Sequence, residues 1–456
     1  MHEGFAAGLS GIIPDPDRIL TAPAVLERLS HDFYWYSPVL RPQLAPKVGD
    51  IVVQTVSVDE VVAVLRYAGQ QGVPVTVRGA GTGNCGQSVP LEGGIVLDLS
   101  LMDKLEGITP DGVAVCEPGV RMALLETEAR KLGWELRMYP STFNKATLGG
   151  FLAGGSAGVG SVTHGSVRDF HTVRAVEVVT MEEEPRVVLL EGDAVHEVLL
   201  AWGTNGIITR VWLALTPAVA WTQMAIAFPM FEDAFYFSDM VARVLEWNKR
   251  LVTVFEWPLP SFFTPIQALV REGKALVFLM IATAQVAKLR ALAESAGGEV
   301  TFSGEFEGPR VQPLLSDYIW NHTTLWAMKA DPSYTYLQCS FDLSKCIEQS
   351  RKLRQRFGED ILFHLEFMKN SYETVIPAGI PVVRFTSEER LNEMIEFCRS
   401  IGVLVANPHV NELEGSGRFR PDNLQLEAKQ RYDPRGLLNP GKMVSFRVEV
   451  PAIANG

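Results

Sequence analysis

The chain has little cysteine: five residues in 456, an odd number, with no C-x-x-C spacing. That excludes a disulfide framework and the common zinc modules, and it reads as a reduced chain. Positive charge is also short. Lys and Arg number 41 against 53 Asp and Glu, for a formal charge of -12. Nucleic acid and anionic membrane surfaces are therefore poor main partners. Long apolar runs are missing too. The longest, such as Ala275 to Thr283, fall well short of the ~20 residues that span a bilayer and suit buried strands instead. The first residues, Met1-His2-Glu3-Gly4, lack the basic and apolar regions of a secretion signal. A cytoplasmic protein without a membrane span is expected, large enough for two or three domains with real cores.

Glycine, by contrast, is concentrated in two places about sixty residues apart. The first stretch is Arg78-Gly79-Ala80-Gly81-Thr82-Gly83-Asn84, after an apolar run from Pro74 to Val77. The second runs from Pro140-Ser141-Thr142 through Thr147-Leu148-Gly149-Gly150 to Gly154-Gly155-Ser156-Ala157-Gly158 and Thr163-His164-Gly165. Loop N–H groups can approach phosphate oxygens closely where no Cβ intervenes. Two such loops suggest one long ligand gripped along its length.

Gly81 to Gly86 also fits G-x-G-x-x-G. The dinucleotide reading requires the third glycine to open a helix. Gly86 instead leads into Gln87-Ser88-Val89-Pro90-Leu91-Glu92-Gly93-Gly94, a loop. A Rossmann domain and a nicotinamide cofactor are set aside on that ground.

From residue 50 to 215 strand and helix alternate. Ile51 to Gln54 reads as a strand, and Ser57 with Glu60 as a capping box before a helix whose apolar face is Val61, Val64, Leu65 and Ala68. Thr172–Thr180 and Arg186–Glu191 read as a hairpin. Beyond Pro217, strand-like runs (224–228, 251–255, 275–281, 334–341, 361–367) alternate with helical ones (232–248, 285–296, 343–357, 388–401), which predicts an antiparallel sheet with helices.

Taken in order, Arg78-Gly-Ala-Gly-Thr-Gly83, Thr147-Leu-Gly-Gly150, Gly155-Ser-Ala-Gly158, His164-Gly165, Gly203-Thr-Asn-Gly-Ile-Ile-Thr209 and Asp433-Pro-Arg-Gly-Leu-Leu-Asn-Pro-Gly-Lys442 resemble the FAD-linked oxidases of the vanillyl-alcohol oxidase and p-cresol methylhydroxylase (PCMH) superfamily. The nearest branch is that of the glycolate oxidase FAD subunit and the D-lactate dehydrogenases. The resemblance implies an α+β protein: a two-part FAD-binding domain of the PCMH type (1–218), a cap or substrate domain with an antiparallel sheet (219–410), and a segment (411–456) returning to the FAD domain.

It further implies which residues hold FAD. Arg78, Gly79, Ala80, Gly81, Thr82, Gly83 and Asn84 would wrap the pyrophosphate. Pro140, Ser141, Thr142, Thr147, Leu148 and Gly149 would line the ribityl and flavin side, and Gly155, Ser156 and Gly158 would complete the cradle. Gly206 and Ile207 would lie against the adenosine, with Asn439 and Lys442 returning from the tail. Covalently flavinylated relatives often carry a histidine where this chain has Thr82, so FAD is expected to be non-covalent; Cys85 reads as a small buried residue.

Substrate chemistry requires a base for a hydroxyl proton, and a neutral histidine suits that near neutral pH. His409, in Asn407-Pro408-His409-Val410-Asn411, falls where the branch has a glutamate-histidine-glycine motif. The glutamate, a metal ligand in relatives, is Pro408 here. His364 and Glu366 stand two apart on a strand and share a face. Two side chains make a poor metal site, so no metal is expected; the pair either contacts substrate or is a satisfied polar pair. An arginine-glutamate pair of the branch is replaced by Asn321 and His322. Without that arginine a substrate carboxylate would need Lys329, Arg384 or a protonated His322. The catalytic set expected is His409, His322 and Lys329, with Asn321, His364, Glu366, Asn411 and Arg384 binding substrate. His164 and His171 read as structural.

The function expected is oxidation of an alcohol or 2-hydroxy acid by hydride transfer to flavin N5. Its partners are a small-molecule substrate and an electron acceptor, a protein or a quinone, and a homodimer is compatible with the sequence. Two alternatives stand: an oxidase of neutral alcohols, phenols, sugars or aldonolactones, and a flavin-binding electron-transfer subunit without substrate chemistry of its own.

Overall fold

A computed structural model describes residues 3–309, 312–416 and 421–446. Its first sheet has four strands, in the order Ile19–Leu20, Ile51–Gln54, Ile95–Asp98, Val75–Arg78. The last three are parallel. Ile95–Asp98 is buried at every position, as befits a parallel strand covered on both faces. The helix Val58–Gln71 packs Val61, Val64, Leu65 and Ala68 into this core. Ser57 Oγ accepts from the Glu60 amide at 3.2 Å. Glu60 does not close the expected reciprocal box: its carboxylate accepts from the Val56 amide and pairs with Arg18. Gly72, at φ 65°, ends the helix in the left-handed conformation.

The second sheet is antiparallel, with Val113–Cys116, Ile207–Pro217 and Val173–Val179 at its centre. The expected hairpin is present as Val173–Val179 against Val187–Glu191. The third sheet has eight antiparallel strands. Trp221–Phe228 and Ala275–Ala282 are buried along their whole length. The period-two alternation of side chains explains how. Ala225, Leu251, Phe255 and Phe278 face a core shared with the second sheet. Met224, Ile226, Val252 and Val254 face the other way, towards Phe235 and Val241 of the helix Phe231–Arg243 and Leu391 of the helix Glu388–Ser400. The two sheets are thus joined by one apolar layer rather than by a linker.

Three expected elements differ. The run 334–341 is two strands in different sheets, Tyr334–Tyr336 and Gln338–Ser340, and 361–367 likewise divides into Ile361–Leu362 and His364–Lys369. The helix expected to reach residue 248 stops at Arg243. Gly86 is followed by no helix before the strand Ile95–Asp98, as the loop reading required.

The segment after the helix Asn423–Tyr432 docks on the first sheet. The Val75 amide donates to the Leu437 carbonyl and the Asn439 amide to the Val75 carbonyl, both at 2.8 Å. Asp433 shapes this turn, accepting from the amides of Leu437 and Leu438 while paired with buried Lys429. No helix among the described residues is long and apolar enough to cross a membrane.

Candidate active site

A cavity of about 1230 Å³ lies between the first two sheets and the eight-stranded one. Both glycine stretches form its walls. Arg78 through Asn84 line it without a break, as do Pro140 to Thr142, Thr147, Gly149, Gly155 and Ser156. Among the described residues, the amides of Gly79 to Asn84 donate to no protein acceptor. Unpaired amides beside a cavity are what an anionic ligand requires. The side chain of Arg78 also makes contacts within the protein. Its guanidinium donates to the carbonyls of Leu29, His31, Gly79 and Ala80, so it braces the loop from behind. A Cβ at Gly81, where φ is 63°, would sit 2.0 Å from that guanidinium, and one at Gly79 would sit 2.1 Å from Thr147 Oγ1. The two stretches touch there and leave no room for a side chain. Thr147 Oγ1 is itself buried and unpaired, a polar group awaiting a ligand.

Five residues expected at the cofactor stand one layer back. Leu148 and Ile207 are fully buried in apolar cores. Gly158 packs on the Tyr139 carbonyl. Asn439 donates to the carbonyls of Gln87 and Trp202, which fixes the loop. Lys442 is buried near Asp32; burial pushes the lysine pKa down and the carboxyl pKa up, and the opposite charges resist both shifts. Gly206 is on the cavity wall. Sequence reasoning missed Phe33, Trp35 and Tyr36, which line it from outside the recognisable motifs.

Asn321 and His322, the first residues of the helix Asn321–Ala330, also line the cavity. Their orientation originates in a buried network. Trp320 takes the uncommon conformation φ 50°, ψ −136°. Its amide donates to Glu366 Oε1 at 2.8 Å. Glu366 also bonds His364 Nε2 at 2.9 Å and accepts from Thr253 Oγ1. His364 stacks on Phe255. Neither His364 nor Glu366 lines the cavity and both are almost fully buried. The expectation of substrate contact is corrected: they are a polar pair that holds Trp320. Asn321 Oδ1 and His322 Nδ1 are in turn buried without partners. Burial, reinforced by the charges of Lys329 and Lys145, pushes the His322 pKa down to about 4, so the ring is neutral near pH 7.

His409 does not fit the expected role of base. It is absent from the cavity wall, although Asn407 and Pro408 are part of it. Its Nε2 faces the Tyr336 carbonyl at 2.9 Å and must donate, and Nδ1, 2.8 Å from Ser37 Oγ, then accepts. Both nitrogens are satisfied, leaving no site for a substrate proton. Lys329 is exposed, over the Trp326 ring. Arg384 is paired with Asp331 outside the cavity. Asn411 lies against Gly86, also off the wall. The carboxylate partners expected from the sequence are thus not at the cavity, or, for His322, not charged. Asp317, Lys145 and Arg399 are there instead. Burial raises the Asp317 pKa to about 6. No spacing rule singles out these three. Among the described residues no cluster of three or more His, Cys, Asp or Glu is placed to hold a metal ion.

A family model described as an FAD binding domain matches residues 49–188. The glycolate oxidase subunit GlcD of Escherichia coli is 30% identical over 435 residues, 86% of this chain and 83% of that protein. The chain belongs to the family of glycolate oxidase FAD subunits and D-lactate dehydrogenases. A D-lactate dehydrogenase of Archaeoglobus fulgidus is 26% identical over 88% of this chain and 94% of its own. The solved structure of an alkyldihydroxyacetonephosphate synthase shares the fold, with a TM-score of 0.75 over 96% of this chain and 86% of that one at 16% identity. As a member of the FAD-linked family the chain is an FAD-dependent oxidoreductase. The glycine walls, the unpaired amides and the orphaned Thr147 hydroxyl fit that cofactor.

Proposed function

We propose that the protein oxidises a small alcohol, a 2-hydroxy acid in the first instance, with FAD held non-covalently along the two glycine stretches. The observation that carries this reading is the pairing of a phosphate-accepting wall with two unpartnered buried polar atoms, Asn321 Oδ1 and His322 Nδ1, in one cavity. When bound, FAD supplies an acceptor for the hydride leaving the substrate carbon. The chain's own groups handle the proton and the orientation. Asn321 Oδ1 accepts a hydrogen bond from a substrate hydroxyl, and neutral His322 takes the proton. The relatives named for D-lactate and glycolate support the 2-hydroxy-acid class. Thr82 on the cavity wall supports dissociable FAD.

A second reading, a neutral alcohol, is favoured by the absence of Arg384 and Lys329 from the wall and by the uncharged state of His322. Lys145 is then the cation that decides, since it is exposed at the cavity and close enough to influence His322. The division into 1–218, 219–410 and 411–456 accords with this reading. The second sheet ends at Pro217, the third begins at Trp221, and its last strand ends at Ala406.

Anaerobic mixing of the yellow holoprotein with D- and L-2-hydroxy acids and with neutral alcohols tests the proposal. Bleaching of the flavin by a hydroxy acid is expected, weakened in Lys145→Gln. Bleaching only by neutral alcohols selects the second reading, and no bleaching by either class refutes both.

A further inference from the structure

A second cavity, of about 350 Å³, lies away from the first and shares no lining residue with it. It sits on the seam between the two antiparallel sheets. Arg137 and His164 contribute from one side, Lys249, Arg250 and Lys369 from the other. The seam is tied by backbone: the Gly160 amide donates to the Arg250 carbonyl, and Thr163 Oγ1 to the Lys249 carbonyl, both at 2.7 Å.

Charge at this seam is not balanced. Arg250 is neutralised by Glu126, and Arg243 by Asp239. Arg137, Lys249 and Lys369 have no carboxylate within ion-pair distance among the described residues. Arg137 donates to the carbonyls of Phe170 and Leu215, and Lys249 Nζ to those of Val244 and Trp247. Carbonyls fix these side chains without cancelling their charge. Lys369 rests over the Phe170 ring. Of the two carboxylates at the wall, Glu135 is held by Arg130 and Trp221, and Glu373 is exposed at the rim. Arg250 Nε is buried and without a partner. The local potential is felt by neighbours. Burial, with the charges of Arg137, Arg250 and Lys369, pushes the His164 pKa down to about 4, and burial with Lys369 pushes Lys249 down to about 8.

We propose that this seam cavity binds a small oxyanion, a phosphate or a short carboxylate, which bridges Arg137 of one sheet's flank to Lys249 and Lys369 of the other's. The volume admits a ligand of that size and excludes a dinucleotide, which needs a cavity nearer the upper end of the ~300–1,000 Å³ range typical of ligand pockets. Oxygen ligands give Lys369 a charge-assisted hydrogen bond and Arg137 an anionic partner. The site stands independently of the substrate assignment.

The test uses FAD-saturated protein, so that the glycine walls are filled. Calorimetric titration with inorganic phosphate and, separately, with malonate is run at matched ionic strength against chloride. Saturable binding of one equivalent is expected for at least one of them, with a rise in thermal midpoint. Phosphate alone assigns the phosphoryl class, malonate alone the carboxylate class, and both a general oxyanion site. Lys369→Gln removes a side chain whose nitrogen makes no hydrogen bond among the described residues, so the fold is expected to be kept. It is expected to weaken binding at least tenfold, and Arg137→Gln to weaken it further. Binding of neither anion, or undiminished binding by Lys369→Gln, overturns the proposal.

Discussion

At the scale of single residues, His322 and His409 exchange the roles their sequence surroundings suggest. His409 matches a family motif, yet its ring is closed on both sides by Ser37 and Tyr336. His322 replaces a family residue, yet it faces the cavity with a free nitrogen. His322→Gln should retain FAD and its spectrum and slow anaerobic flavin reduction by about 10²–10⁴-fold; stopped-flow absorbance checks this, and an unchanged rate removes His322 from the chemistry. The base must be neutral, so competence from His322 is present at neutral pH and lost as pH falls through about 4. A limb near pH 6 in the same rates would belong to Asp317 and should vanish in Asp317→Asn. Glu366 acts through another residue. Glu366→Gln exchanges the charged acceptor of the Trp320 amide for a weaker one and puts an amide donor among Thr253 and His364. It should cost about 1–3 kcal/mol in urea unfolding. It should also slow reduction, because Trp320 sets the direction of Asn321 and His322. A stability loss with no kinetic change would reduce Glu366 to a packing role. A motif locates a residue along the chain; the two hydrogen bonds that silence His409 come from Ser37 and Tyr336, far away in sequence, and no local reading can supply them.

Elements show a similar division. The glycine stretches were legible because their reason is local: a Cβ has no place. Gly158 illustrates it, since a Cβ there would lie 2.0 Å from the Tyr139 carbonyl and 3.0 Å from Pro140 Cα. Gly158→Ala should therefore push Pro140–Thr142 into the cavity. A loss of about 1–3 kcal/mol and weaker FAD retention are expected, measured by urea unfolding and by flavin release on gel filtration. Gly107→Ala is the control, because open space surrounds its would-be Cβ; an equal loss there would show that the effect is not steric. Strand membership was less legible. The runs 334–341 and 361–367 alternate and bury like single strands, but Leu337 and Phe363 sit at points where the chain leaves one sheet for another. Which neighbour accepts a strand's hydrogen bonds is a long-range matter that periodicity does not encode.

For the molecule as a whole, three histidines, His409 buried and His164 and His322 half-buried, give acid sensitivity a sign. His164, His322 and His409 are each held near 4 by burial, below their ordinary value of 6.5. The unfolded chain binds protons first, so stability is full above about pH 6.5 and falls as pH drops towards 4. His409 alone accounts for on the order of 3 kcal/mol across that window. Urea midpoints of holoprotein at pH 5 and pH 7 should show the slope, and His409→Gln should flatten it; a wild-type midpoint independent of pH would contradict the burial argument. The broad architecture was readable through the family resemblance that the ordered glycine motifs carry. The shared apolar layer between the second and third sheets was not, since the alternation of Ala225 with Met224 names two buried faces but not what covers each.

The docking of the tail on the first sheet bears on how the protein is made. Thr76 and Asn439, neighbours in the folded cradle, are 363 residues apart in the chain. Asn439 is also what anchors the loop through the carbonyls of Gln87 and Trp202. A ribosome therefore delivers the phosphate loop long before it delivers the residue that fastens it. At ~5–20 residues per second, the nascent chain carries an unfastened cradle for tens of seconds. The phosphate loop thus reaches its fastened form only after the chain has been extended through Asn439.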